Sequence, residues 1–224
     1  NIIKHLASIY RNFTREESLF FSKYIQEGKI EIIAFGDLLK FEESNFLCEQ
    51  WFDDRGKKTL EESPKIEWKY EFDRIVTNPE NNQSLKFSGF IGILDKMAQT
   101  KNGFSYFRRG RVVEGSGDEK MYPAKISKAP GSFEYKRLFG EFHFDDVDGS
   151  VVESTFNKNS FQDQDFINYC IDSLPNELKW IKFPEQPDKK FSLLKQATNH
   201  QARFDQNTAE KTIKKIKKIE EEKL

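Results

Sequence analysis

The feature that most constrains the fold is a stretch of strict alternation between charged and apolar residues, Lys65–Phe72. Its apolar members are Ile66, Trp68, Tyr70 and Phe72. Its charged members are Lys65, Glu67, Lys69 and Glu71. Successive side chains of a β-strand point to opposite faces of the sheet, so this pattern predicts a strand with one buried face and one face in water. Antiparallel sheets commonly contain such strands.

Three more stretches have strand character: residues 84–94, 103–113 and 139–145. The first follows a turn-like segment, residues 78–82, and has apolar residues at even spacing, so we expect it to pair with the alternating strand. Gly89 and Gly92 interrupt it, which predicts a bulge or the close approach of another backbone. The second has an Arg-Gly turn between an aromatic and a β-branched half, which is typical of a hairpin.

Helical patterns lie on both sides of this strand-rich region. They cover residues 2–13, residues 14–28, a segment starting near Asp163, residues 191–201 and residues 207–224. Asp163 and Asp165 suit the first turn of a helix, because acidic side chains interact favourably with the helix dipole there. We therefore predict an α+β protein with a helical lead-in over residues 1–28, a sheet-containing domain over 29–183 and a C-terminal helical extension over 184–224. Because the sequence starts at Asn1, we also expect a part to precede it.

Composition and charge exclude several classes of function. Lys and Arg number 36 against 37 Asp and Glu, a net charge of −1, so any contact with nucleic acid requires a local basic patch. Cys48 and Cys170 are far apart and the three histidines form no ligand motif, so we expect reduced thiols and no metal site. The sequence has no apolar run near 18 residues and no signal-peptide pattern. A cytoplasmic protein without membrane contact is expected.

The most informative loop is Glu153–Phe161, which reads Glu-Ser-Thr-Phe-Asn-Lys-Asn-Ser-Phe. It follows two strand-like segments and precedes a helix. Asn157 and Ser160 are residue types that bend the backbone and cap helices. Lys158 is a lone cation between a sheet and a helix, well placed to meet an anion. A solvated lysine in an ordinary turn remains the alternative.

A second basic group lies at the tip of the predicted hairpin. Arg108, Arg109 and Arg111 follow the aromatic residues Phe104, Tyr106 and Phe107. Arginines interleaved with aromatic rings suit an anion or a nucleic acid, and arginines at an exposed turn equally serve solubility. The acidic stretches at Asp53–Asp54 and Asp145–Gly149 resemble cation loops but lack further ligands at the required spacing. We interpret the first as a solvated acidic loop and the second as a hairpin turn.

The order of these pieces resembles the second half of a GHKL-superfamily ATPase. That superfamily includes DNA gyrase B, MutL, the ninety-kilodalton heat-shock chaperones and histidine kinases; the chain is most similar to bacterial heat-shock-chaperone-like ATPases and to the microrchidia (MORC) proteins. The resemblance covers roughly residues 1–181. It rests on Tyr10-Arg11, Lys29–Ile32, Gly89–Ile93, Gly103–Val113, Tyr135–Phe144 and Thr155–Phe161.

The resemblance implies a transducer domain: a mixed sheet with helices packed on one face, as in domain two of ribosomal small-subunit protein five. In relatives, a loop lysine contacts the γ-phosphate of ATP held by the preceding domain. That role falls here on Lys158, with Asn157 beside it as a nucleotide contact. Loss of the γ-phosphate after hydrolysis then releases the loop and changes the angle between domains.

The superfamily's nucleotide pocket requires a Glu…Asn helix and an Asp-x-Gly-x-Gly loop, and the sequence contains neither. The resemblance therefore implies that ATP and Mg²⁺ bind to an N-terminal nucleotide-binding domain upstream of Asn1. We expect no cofactor on this chain and no hydrolysis by it alone. Two other functions stay open. One is a nucleic-acid-binding module that uses the hairpin arginines and the lysine-rich tail. The other is an interaction module, including a homodimer, that uses the terminal helix.

Overall fold

A computed structural model describes residues 2–14, 32–53, 57–58, 65–97, 101–117, 119–147, 160–183 and 186–221. The helices in these ranges are Ile2–Ile9 (α1), Arg11–Thr14 (α2), Ala124–Ser127 (α3), Phe133–Arg137 (α4), Gln164–Asp172 (α5), Leu174–Glu177 (α6) and Leu193–Glu221 (α7). The short strands are Ile33–Ala34 (β1), Asp37–Leu38 (β2), Cys48–Glu49 (β3), Phe52–Asp53 (β4), Lys57–Lys58 (β5) and Ile66–Glu67 (β6). The remaining strands are Lys69–Thr77 (β7), Ser84–Ile93 (β8), Gly103–Arg108 (β9), Arg111–Glu114 (β10), Leu138–Asp146 (β11), Ile181–Phe183 (β12) and Gln186–Phe191 (β13).

The alternating stretch forms β6 and the start of β7. Ile66 and Trp68 are buried, with 1% and 0% of their surface exposed. β7 pairs with β8 in antiparallel fashion, with a register that matches Lys69 to Gly92 and Thr77 to Ser84. The predicted strand, its partner and the turn between them are confirmed. Asn78 closes the turn by donating its N–H to the carbonyl of Gln83 (2.7 Å).

The main sheet has five strands in the order β10-β9-β11-β8-β7. The central strand, β11, runs antiparallel to β8 and parallel to β9. Parallel strands require a crossover connection. The connection from β9 to β11 runs through β10 and helices α3 and α4. The mixed sheet of an α+β protein is thus confirmed.

Two tight hairpins have the same turn geometry. Arg109 and Gly110 join β9 to β10 with φ values of 49° and 76°, and Phe35 and Gly36 join β1 to β2 with φ values of 55° and 85°. Positive φ at both central residues is the signature of a type I′ turn, whose twist matches that of paired strands. The predicted Arg-Gly hairpin is therefore confirmed.

Gly89 supports a close approach of backbones rather than a bulge. The pairing of β8 with β11 is regular from Leu138–Ile93 to Asp146–Leu85. A Cβ atom at Gly89 would lie 1.9 Å from the carbonyl oxygen of Glu141, and its φ is 147°. Any larger residue would push the two strands apart at the centre of the sheet.

Aromatic side chains dominate one face of the sheet, the face that carries Phe142 and Phe144, which we call the first face. The Phe142 ring stacks on Phe104 at 4.9 Å between centroids, and Phe87 stacks on Phe144 at 5.0 Å. Helices α5, α6 and the start of α7 cover this face with residues of the same apolar core: Phe166, Ile167, Ile171, Leu174, Leu193 and Ala197. Ile126 of α3 belongs to that core as well.

The opposite face carries the lead-in, which the prediction of helices on one face did not include. Glu141 points away from Phe142 because neighbouring residues of a strand alternate. Its carboxylate pairs with Arg11 of α2 at 2.7 Å. Helices α5, α6 and the start of α7 thus lie on the first face, whereas α1 and α2, the described helices of the lead-in, contact the second face.

Helix α7 is continuous where the sequence pattern indicated two helices. Its first turns are part of the core: Leu193, Gln196 and Ala197 are fully buried. From Phe204 to Ile216 every side chain is exposed. The division of the chain at residues 28 and 183 stays a prediction.

Candidate functional site

Lys158 and Asn157, the predicted nucleotide contacts, lie outside the described residues. The described chain resumes at Ser160, directly before α5. Phe161 is 3% exposed, and its ring packs edge-on against Phe144 of the central strand at 5.2 Å. Its N–H donates to Glu114 Oε1 at 3.3 Å. Residue 161 is therefore fixed to the sheet on both its side-chain and its backbone side.

Helix α5 begins as the sequence predicted. The Asp163 side chain accepts a hydrogen bond from the Phe166 N–H at 2.9 Å, and this caps the first turn. Asp165 lies in that turn and interacts favourably with the helix dipole. The stretch that contains Lys158 therefore leads into a well-formed helix.

Glu114, at the end of β10, is a chemically unusual residue that the sequence pattern did not single out. Burial raises its pKa, and the hydrogen bond from Phe161 lowers the pKa in part. Its second oxygen, Oε2, is buried and has no hydrogen-bond partner among the described residues. Burial, and then the charge of Glu114, also raise the pKa of the neighbouring Tyr106 hydroxyl. The Glu114 carboxylate, whose charge is only partly stabilised by hydrogen bonds, thus lies next to the start of α5. A nearby cation would interact favourably with it.

The hairpin arginines meet acidic side chains at the end of β11. Arg109 donates its backbone N–H to Asp145 Oδ1 (2.6 Å) and its Nε–H to Asp146 Oδ2 (2.7 Å). Arg108 is 3.7 Å from the other oxygen of Asp146. Among the described residues, Arg111 has no acidic partner. Two carboxylates therefore offset two of the three positive charges at this tip.

A buried ion pair on the second face is the most completely enclosed charged contact in the described part of the chain. The Arg11 and Glu141 side chains are 2% and 6% exposed. The Arg11 guanidinium lies over the rings of Phe107 and Phe41, at 4.6 Å and 4.8 Å from their centroids. It also donates to the Ser8 carbonyl at 3.1 Å. The helical spacing of residues 2–13 gave no signal for this contact, because Arg11 pairs with a residue 130 positions away.

A half-buried carboxylate, Glu49, attaches α7 to strand β3. It accepts from Gln196 at 2.8 Å, lies 3.0 Å from His200 Nδ1 and pairs with Arg203. Burial alone would raise the pKa of Glu49, but the hydrogen bonds and charges of His200 and Arg203 outweigh it and hold the pKa below its usual range. This arrangement satisfies the carboxylate from one helix and has a structural role.

Within the described ranges, no three His, Cys, Asp or Glu side chains group together as a metal site. Cys48 is exposed and Cys170 is buried, and both are free thiols. None of the helices in the described part combines the length and apolar character needed to cross a bilayer.

The comparisons with known proteins add no assignment to this geometry. No model of a protein family matches the chain, and no curated protein is significantly similar to it in sequence.

Proposed function

We propose that this chain is the transducer part of a GHKL-type ATPase, in which Lys158 responds to the γ-phosphate of ATP bound by a preceding domain. The observation that carries the proposal is the attachment of Phe161. Lys158 precedes Phe161 by three residues, and three residues of chain span at most about 11 Å. The length of the chain thus limits how far Lys158 lies from the anchored Phe161.

The chemistry of a lysine side chain also supports the proposal. A mobile ammonium group engages a terminal phosphate as a point charge and loses that partner after hydrolysis. A sheet is rigid enough to carry the resulting displacement to other elements. The mixed order of the five strands and the helices on the first face agree with the transducer architecture, whose finer topology remains part of the proposal.

The test uses the longer polypeptide that includes the residues upstream of Asn1. Lys158→Ala should lower ATP turnover about tenfold or more, because one preorganised charge near the reacting phosphate is lost. Lys96→Ala, at an exposed lysine on a surface turn after β8, is the matched control and should leave turnover unchanged. Unchanged turnover in the Lys158 variant, with normal folding, contradicts the proposal. The chain by itself should not hydrolyse ATP above the level of its own Lys158→Ala variant.

A second candidate is a nucleic-acid-binding module, and the exposed lysines of α7 favour it. Lys211, Lys214 and Lys215 are exposed on the outer half of that helix. The hairpin arginines contribute less, because Arg108 and Arg109 contact Asp146. Replacing the three lysines by glutamine should abolish retardation of DNA at low salt if the tail binds phosphates. Absence of any retardation by the unmodified chain removes this candidate.

A further inference from the structure

The contact between the lead-in and the sheet is polar, which is unusual for a helix packed on a sheet. The buried residues of α1 and α2 are Ala7, Ser8, Arg11 and Asn12. The larger apolar residues are less buried: Ile2 is 66% exposed, and Leu6, Ile9 and Phe13 are half-buried. An element that belongs permanently to a core buries its large apolar side chains first. Interfaces that separate during function are more polar.

The Arg11–Glu141 pair concentrates the charge of this contact at one point. Its Nε–Oε1 distance is 2.7 Å, and the Nη1 group donates both to the Ser8 carbonyl (3.1 Å) and to Ser8 Oγ (3.2 Å). Two aromatic rings cover the guanidinium. A buried ion pair stabilises a contact only while every partner is in place, because either charge left alone is strongly unfavourable. Such a contact is either made completely or lost.

Glu141 is also well placed to connect the lead-in with the sheet. It lies in the middle of the central strand, opposite Phe90 of β8 and Ser105 of β9. Four residues further along the same strand, Asp145 receives the N–H of Arg109 at the hairpin tip. His143 Nε2 lies 3.8 Å from the other oxygen of Glu141, and its ring stacks on Phe107 at 4.6 Å.

We propose that Arg11 and Glu141 form a latch that holds α1 and α2 on the second face of the sheet. While the pair is made, the lead-in moves with the central strand as one body. When the pair is broken, the lead-in leaves the sheet as a unit and the five strands remain paired. The latch does not involve nucleotide, so a result that contradicts it leaves the proposed role of Lys158 unaffected.

The experiment is amide hydrogen exchange of the chain, read by mass spectrometry on peptides from residues 2–14 and from strands β8, β9 and β11. Glu141→Gln removes one charge and keeps the shape of the side chain. Exchange in residues 2–14 should rise about tenfold or more, and exchange in the three strands should stay within about twofold of the original. Asp73→Asn is the matched control: it breaks an exposed ion pair with Lys86 (3.0 Å) and should leave all these peptides unchanged.

A double variant shows whether the effect of Glu141→Gln comes from an unpaired buried charge. Arg11→Met with Glu141→Met removes both charges at similar volume, so the lead-in should again be protected to within about threefold of the original. Arg11→Lys keeps the charge but loses the planar contact with the rings, and should give an intermediate result. Unchanged exchange over residues 2–14 in Glu141→Gln overturns the latch. So does a rise that extends into the three strands, or a double variant that exchanges as fast as the single one.

Discussion

At the scale of single residues, Gly89 is a position where this sheet tolerates no side chain. Its φ of 147° is unfavourable for other residues, and a Cβ atom would lie 1.9 Å from a backbone oxygen that cannot move without shifting β11. Gly131 also has a positive φ, 86°, but a Cβ atom there would meet nothing within 4 Å. Comparing alanine substitutions at the two positions therefore separates the energetic cost of the positive-φ backbone from the cost of the steric clash.

We expect Gly89→Ala to lower the free energy of unfolding by about 3 kcal/mol or more, the sum of backbone strain and overpacking. Gly131→Ala should cost about 1 kcal/mol, the strain alone. Urea denaturation of both variants measures the difference. Equal losses at the two positions would show that the approach of β11 to β8 is looser than the geometry indicates.

Glu114 shows how a residue gains chemical interest only through its neighbours. In the sequence it is one acidic residue among 37 Asp and Glu. In the structure it accepts the Phe161 N–H, and its other oxygen is buried without a hydrogen-bond partner in the part of the chain that the structure describes. Its raised pKa follows from burial, which no local pattern reports.

At the scale of elements, α7 consists of two halves with different surroundings. The first half packs in the core and holds Glu49 through Gln196, His200 and Arg203. Beyond it, the Phe204 ring lies 5.1 Å from the Arg137 guanidinium. The outer half, from Gln206, has exposed side chains as far as the structure describes them. An isolated helix of that length is only marginally stable in water.

Deleting residues 207–224 should therefore change the melting temperature by no more than about 2 °C, because exposed residues contribute little to stability. Leu193→Ala, in the buried half, should cost about 2–5 kcal/mol. Thermal unfolding of the two variants makes the comparison. Sedimentation of the shortened chain tests the interaction hypothesis as well. A dimer that becomes a monomer on deletion supports a coiled-coil role of the tail, and a monomer in both forms speaks against it.

At the scale of the whole molecule, the two faces of the sheet differ in the charge that they bury. The first is an aromatic core in which Phe87, Phe104, Phe142 and Phe144 are fully buried. The second contains the Arg11–Glu141 pair and the half-buried His143. Removing water from the first face stabilises the fold without directional requirements. The second face also carries packed aromatic rings, Phe90 and Phe139, but its buried ion pair depends in addition on charge and hydrogen-bond geometry. Substitutions of that ion pair should therefore act differently from substitutions in the aromatic core.

The tyrosines at the edges of the core predict loss of stability in alkali. Burial raises the pKa of Tyr70 to about 12, with a further contribution from Glu177, and burial raises the pKa of Tyr122 to about 12, with a further contribution from Tyr135. The pKa of the buried Tyr106 is raised in the same direction. An unfolded tyrosine loses its proton near pH 10, so above that pH the unfolded state binds fewer protons than the folded state. Stability should fall from about pH 10 towards pH 12.

The measurement is the urea midpoint between about pH 9 and pH 11.5, where these protons are lost. Tyr106→Phe removes the most buried of the three hydroxyls and should make the decline with pH shallower. Tyr169→Phe, at a half-exposed position on α5, is the control and should leave the slope unchanged. An identical slope in both variants would contradict the assignment to Tyr106.

Local sequence patterns were sufficient to predict the elements whose residues are close together along the chain. The alternation of residues 65–72, the turn at residues 78–82 and the Arg-Gly hairpin follow from local periodicity and turn chemistry, and these three were predicted. The helix after Asp163 was predicted as well, but the capping role of Asp163 was not. Helices α3 and α4 were not, because segments of four or five residues carry too little periodic signal. The role of Lys158 came from a resemblance and stays a prediction.

The contacts between residues far apart along the chain became visible in the folded molecule alone. Arg11 reaches Glu141, Phe161 reaches Glu114, and Glu49 reaches His200 across separations of 130, 47 and 151 residues. The same alternating patterns allow many strand orders, and the one with β11 parallel to β9 is likewise set by the folded chain. Local sequence fixes which face of a strand is apolar, but charge pairing and strand order depend on how the whole chain closes around its core.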